Sequence, residues 1–228
     1  MSFDMSKLIY RKKSALTKEQ AQFLIEEHKR LERTSMLESC QHAVTGIDTV
    51  SSYQRIALED NTEAFDIVYK ANEDLINEYM DYLDTFKMFH TLIRDVMTYS
   101  HMFRVLKYET GATVHPHTDH SPFIYGSATF NLNDDYTGGE FAFWNGTHKV
   151  ALEAQEAMIW PADFFWVHGV DKVTSGTRYS VNSFLQSIPE HLKQETLKFV
   201  DNRIEKAKLV PKEREYNRTH RYKIRSKQ

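Results

Sequence analysis

With 228 residues, 41% hydrophobic and 13% aromatic, the chain has enough apolar side chain for one sizeable core and too little length for three domains. Its 29 basic and 32 acidic residues leave a net charge of −3, which excludes a globally basic nucleic-acid binder and a long acidic disordered chain. The single cysteine, Cys40, rules out an internal disulfide framework and a cysteine-built zinc site and favours a reducing, cytoplasmic setting. Neither the opening MSFDMSKLIYRKK nor any later stretch has the apolar run of a signal peptide or a membrane span, so a soluble protein is expected.

The first hundred residues read as helical support. Thr17 and Gln20 form a capping-box pattern, and Ala21, Leu24, Ile25 and Leu31 recur at helical spacing, predicting a helix over 17–33. Phe65, Val68, Leu75, Ile76, Tyr79, Met80 and Leu83 mark the apolar face of a second, longer helix. From 101 to 187 the pattern changes to short β-rich runs separated by turn signals, at 103–108, 127–132, 140–144, 149–152, 157–160, 165–170 and 178–185. That density of strands predicts a mostly β fold with flanking helices (α+β), a jelly-roll or barrel core buttressed by the N-terminal helices. Asn145-Gly146 reads as a two-residue hairpin turn, and 174–177 as another turn. A C-terminal helix is expected over 188–209, opened by Ser187, Pro189 and Glu190. Beyond it lies a basic tail, 211–228, in which Lys212, Arg214, Arg218, Arg221, Lys223, Arg225 and Lys227 face only Glu213 and Glu215; a solvated tail is expected. The organisation is thus one domain over 1–210 followed by the tail.

The stretch His115-Pro116-His117-Thr118-Asp119-His120 carries the chemistry. In an extended segment His117 and Asp119 project to one face, where an imidazole and a carboxylate can hold a common metal ion. His168, on a later strand, can supply a third ligand, and two histidines with one carboxylate form the facial set of non-haem Fe(II) oxygenases. Arg178, past a turn and at the start of the next strand, can grip a dicarboxylate through a two-pronged ion pair. His115 is expected to stand behind the ligands or on the substrate side without being a ligand. His120 is expected to be structural or exposed, and His148 and Asp134-Asp135 to lie in solvated loops.

Tyr108-x-x-Gly111, His117-x-Asp119, Leu132-Asn133, Gly138-Gly139-Glu140-x-x-Phe143, His168-x-Val170 and Val173-Thr174-x-Gly176-x-Arg178-Tyr179 together resemble the catalytic domain of the Fe(II)/2-oxoglutarate dioxygenases, in particular the prolyl 4-hydroxylase superfamily. The resemblance covers roughly 103–187. It implies a double-stranded β-helix in which His117, Asp119 and His168 bind Fe(II), Arg178 binds the distal carboxylate of 2-oxoglutarate, and Tyr108 lines the cosubstrate pocket. It also implies O2 as co-reactant and names ascorbate as a further candidate cofactor. Where relatives often have a tyrosine before Leu-Asn this chain has Asn131, which could serve as a shorter hydrogen-bonding group with Thr129 on the same face. Val114 and Phe184 also replace common aromatic residues.

The expected reaction is hydroxylation of an aliphatic C–H bond, with succinate and CO2 released, on a prolyl residue of a peptide or protein. The same chemistry on a free amino acid or small metabolite is the alternative. A nucleic-acid demethylase fits less well, because Phe184 stands where such enzymes have a second arginine. A metal cupin without oxygenase activity leaves Arg178 unexplained. No membrane partner is expected.

Overall fold

The computed structural model describes residues 3–41, 48–59, 62–87, 99–119, 124–186 and 222–223. The expected helix over 188–209, His120 and most of the basic tail lie outside these residues. In chain order the elements are β1 (Tyr10–Lys12), α1 (Lys18–Arg30), β2 (Met36–Gln41), β3 (Asp48–Ala57), α2 (Glu63–Asp84), β4 (Tyr99–Tyr108), β5 (Val114–His117) and β6 (Ile124–Asn131). There follow β7 (Thr137–Gly138), β8 (Phe141–Phe143), β9 (His148–Val150), β10 (Ala157–Pro161), β11 (His168–Val170), β12 (Val173–Ser175), β13 (Arg178–Gln186) and β14 (Tyr222–Lys223). No described helix is long and apolar enough to cross a membrane.

A large antiparallel sheet runs β1-β10-β6-β13-β4-β3-β2, and a smaller one β5-β11-β8-β9 faces it; β7 and β12 pair at one end. This is the jelly-roll arrangement expected. Period-2 alternation on the central strands divides the large sheet into two faces. Phe103, Val105, Ala128, Phe130, Ala157, Ile159 and Val181 point outward and form one buried cluster with Leu24, Phe65, Val68, Leu75 and Tyr79 of the helices. Leu106, Tyr108, Met158 and Trp160 point inward and meet Val114, Phe141, Phe143 and Val170 of the small sheet in a second cluster. Because both faces of β6, β10 and β13 are covered, their sequences read as nearly continuous buried runs.

Both predicted helices are present. Thr17 caps α1 through a complete capping box with Gln20, and the Thr62 side chain caps α2.

Three findings depart from expectation. The first hundred residues are not helical support alone, since β1, β2 and β3 extend the large sheet at both edges. The Asn145-Gly146 hairpin is real, but Phe143 pairs with His148, so the connection has four residues. Trp144 at φ 49° already takes the left-handed conformation, before Asn145 and Gly146. Its backbone N–H and its indole Nε1 are tied to the carbonyls of Val167 and Phe165, which draws the chain out of β8 one residue early. In the basic tail, finally, Tyr222 and Lys223 pair with Ser100 and Tyr99 of β4. The pairing of β3 reaches β4 only from Tyr108 to Arg104, so the start of β4 offers open backbone groups to another strand.

Candidate metal and cosubstrate site

β5 and β11 are antiparallel neighbours, and His117 lies directly opposite His168 in their register; the two rings are 4.6 Å apart. Pro116, just before His117, is tolerated because β5 is the edge of its sheet. Asp119, two residues past His117, places Oδ1 3.4 Å from His117 Nε2 and Oδ2 3.4 Å from His168 Nε2. The three ligand atoms lie within 4.8 Å of one another, and this is the cluster able to hold a metal ion among the described residues.

Backbone carbonyls fix both imidazoles. His117 Nδ1 is 2.9 Å from the carbonyl oxygen of His115, and His168 Nδ1 is 3.0 Å from that of Trp166. A carbonyl only accepts, so each Nδ1 carries the proton and each Nε2 lone pair is left for a metal. Ser127 Oγ donates to Asp119 Oδ2 at 2.6 Å. Burial by itself would push the Asp119 carboxyl up, but His168, His117 and the Ser127 hydroxyl outweigh it and hold the group below the usual carboxylate range. Burial pushes the His168 imidazole down, against the pull of Asp119. An ionised carboxylate and a neutral imidazole are the forms a metal requires.

The ligands open onto a cavity of about 230 Å3 whose walls include Tyr108, Thr129, Phe141, Trp160 and Phe184. Arg178 lies behind two of these walls, 1% exposed, with its guanidinium carbon 4.9 Å from the Tyr108 ring centre and 5.3 Å from that of Phe141. Its Nε and Nη1 are buried without a hydrogen-bond partner, a costly arrangement that an incoming carboxylate would relieve. Gly139, at φ 74°, has its absent Cβ 3.1 Å from Arg178 Cδ, so the second glycine of the motif makes room for this side chain. A three-ligand cluster opening onto a cavity, with an arginine of orphaned donors behind its Tyr108 and Phe141 walls, fits Fe(II) together with a dicarboxylate.

The structure brings His117, Asp119, His168, Tyr108 and Thr129 to the cavity, with Arg178 against its wall. It does not bring Asn131. That side chain is fully buried and donates to the carbonyls of Asn133, Leu152 and Glu153 while its oxygen accepts from Tyr136. Asn131 therefore organises two loops, and its expected part in holding the cosubstrate is corrected. His115 supports the site through its carbonyl. His148 is the first residue of β9, with its ring against Phe143 and Trp144.

The sequence patterns do not single out Ser127, Arg104 and Ser180. The signal was available as strand parity: Ser127 shares a face with Thr129, and Ser180 shares one with Arg178. Ser180 Oγ is buried without a partner, as is Trp160 Nε1.

The jelly roll and its two-histidine, one-carboxylate cluster define the class of non-haem iron oxygenase scaffolds. Residues 103–186 match the family model of the 2OG-Fe(II) oxygenase superfamily. A PKHD-type hydroxylase of Acaryochloris marina is 31% identical over 108 residues, which are 43% of this chain and 48% of that relative; the match spans about half the relative's length. A prolyl-4-hydroxylase of Pseudomonas putida superposes with a TM-score of 0.59 at 17% identity, covering 80% of this chain and 94% of the other. A prolyl hydroxylase from Trichoplax adhaerens, solved with a hypoxia inducible factor peptide fragment, gives 0.60 at 11% identity over 80% and 84%. These last two likenesses speak for the fold.

Proposed function

We propose that this chain is an Fe(II)- and 2-oxoglutarate-dependent dioxygenase that hydroxylates an aliphatic C–H bond of a prolyl residue in a peptide or protein. The observation that carries the reading is the convergence of His117, Asp119 and His168 on a cavity whose Tyr108 and Phe141 walls are backed by the orphaned guanidinium donors of Arg178. The family match over 103–186 and the fold shared with two prolyl hydroxylases support the choice of prolyl substrate.

In this reading the two Nε2 atoms and the Asp119 carboxylate hold the metal, and Arg178 holds the far carboxylate of 2-oxoglutarate. When bound, iron and cosubstrate supply the oxidation of a C–H bond by O2, with release of succinate and CO2. The chain's own residues bind and orient. Ser127 fixes the Asp119 carboxylate, the carbonyls of His115 and Trp166 fix the imidazole tautomers, and Trp160, Phe141 and Phe143 pack around His168 and exclude water from it.

The test is to load the protein anaerobically with Fe(II) and 2-oxoglutarate, with ascorbate as reductant, and then admit oxygen with a panel of prolyl peptides and free amino acids. Succinate should form together with a mass gain of about one oxygen atom on a prolyl peptide. Succinate no higher than in a metal-free control would overturn the chemistry. Hydroxylation of a free amino acid alone would keep the chemistry and move the substrate class.

A further inference from the structure

The inward residues of the large sheet form rows across its strands. Tyr53, Tyr108 and Arg178 make the first. Arg55, Leu106 and Ser180 make the second, and Arg104, Asn182 and Thr129 the third. Phe184 and Ser127 make the fourth, and Ser127 holds the ligand Asp119. The cosubstrate reading accounts for the first row and the metal for the last. It leaves the third row, whose three polar residues all line the cavity that holds the ligands.

Arg104 is 7% exposed, and its guanidinium carbon lies 5.6 Å from the centre of the Phe184 ring, which restricts the side chain on one side. Directly opposite it in the register is Asn182, whose Oδ1 is buried without a hydrogen-bond partner. Cross-strand partners on one face bring their side chains within reach of a common small group. A guanidinium presents a fixed fork of N–H donors that matches a carboxylate, and an amide oxygen beside it accepts from an N–H. 2-Oxoglutarate has two carboxylates; the reading above gives the far one to Arg178, and the near one would fall to the metal.

We propose that Arg104 and Asn182 form a specificity subsite for a carboxylate that the substrate itself carries next to the prolyl unit, with Asn182 taking an adjacent N–H. This rests on the proposed prolyl hydroxylation and narrows it. The preferred substrate is a prolyl unit with a negative charge beside it, either the free C-terminal carboxylate or the side chain of an acidic residue that follows. Neutral prolyl sequences are poorer ligands.

The test measures binding to the full chain loaded with Ni(II) and 2-oxoglutarate, where nothing turns over, by calorimetry. The probes are N-acetyl-Gly-Pro, its C-terminal amide, N-acetyl-Gly-Pro-Asp-amide and its Asn counterpart. Each anionic probe should bind about ten-fold or more tighter than its neutral partner, the range of a charge-assisted pair. Preference for the first pair alone identifies the C-terminal carboxylate as the source, and preference for the Asp peptide alone identifies the side chain. In Arg104→Gln the preference should vanish while 2-oxoglutarate affinity holds, and Arg104→Lys should restore part of it. Asn182→Asp should abolish it independently, by placing a like charge in the subsite. Thermal melts would establish that each variant is folded.

Equal binding of neutral and anionic probes overturns the subsite and leaves prolyl hydroxylation standing. Arg104→Gln weakening 2-oxoglutarate and leaving the peptide preference intact reassigns Arg104 to the cosubstrate and also overturns it. Binding by none of the probes sinks the subsite and the prolyl reading together.

Discussion

At the scale of single residues, the two kinds of group in the site should fail differently. His117→Ala or His168→Ala removes a neutral imidazole whose tautomer is already set by a backbone carbonyl. Water replaces it poorly, so metal affinity and turnover should fall together; anaerobic Fe(II) titration beside a succinate assay checks this, and undiminished turnover in either variant would refute the metal site. Arg178→Ala should leave metal affinity intact and weaken 2-oxoglutarate by roughly 10- to 150-fold, equivalent to a charge-assisted pair of about 1.5–3 kcal/mol. Arg178→Lys should recover part of the loss, since the charge survives and the fork does not. Following the absorbance of the anaerobic complex as 2-oxoglutarate is titrated reads both. These residues were legible in the sequence because their chemistry is tied to a short spacing or to a turn and strand start. Asn131 was misread because its local position suits a pocket, whereas its partners at Asn133, Leu152 and Glu153 come from loops that only the fold brings together. Arg104 was passed over for the opposite reason: a lone arginine in a β run carries no motif until its register partner is known.

Among the elements, legibility followed burial. β6, β10 and β13 are covered on both faces and stand out in the sequence over most of their length, whereas β2 and β3 fall within the residues that read as helical support. Asp48–Ala57 contains only scattered apolar residues, and the two strands lie toward the sheet edge, where pairing through the backbone asks little of side-chain pattern. The short β11 shows how a residue beside a ligand can act on the site without touching it. Gly169 sits between His168 and Val170, and a Cβ there would lie 2.6 Å from the Val114 carbonyl oxygen and 3.2 Å from the Pro116 nitrogen. Gly169→Ala must therefore push β5 away from β11, and the two strands carry the two histidine ligands. Metal affinity should drop in this variant although all three ligands remain, while the far-ultraviolet circular dichroism stays that of the parent. Unchanged Fe(II) affinity would mean that the sheet can absorb the methyl group and that ligand spacing is not set by this contact.

Across the whole molecule, one large sheet separates two buried clusters with different tasks: the inner one surrounds the site, and the outer one fastens the helices. A group in the outer cluster should then govern stability without governing chemistry. His28 of α1 is such a group, fully buried, edge-on to Tyr179 at 5.7 Å, with neither ring nitrogen hydrogen-bonded. Burial, with Lys107 nearby, pushes its imidazole down from 6.5 to about 4. The folded protein thus holds His28 neutral where the unfolded chain would bind a proton. The unfolded state binds more protons between these values, so the contribution is fully present above about pH 6.5 and is lost as pH falls toward 4. The loss should be on the order of 2–3 kcal/mol by the bottom of that window. His28→Leu removes the titrating group and fills the same apolar space. Denaturant titrations from pH 7.5 to 4 should show a flatter acid limb in His28→Leu than in the parent, and 2-oxoglutarate affinity at neutral pH should be the same in both. A parallel acid limb in the two proteins would place the acid sensitivity elsewhere, and a change in cosubstrate affinity would show that the two faces of the sheet are coupled.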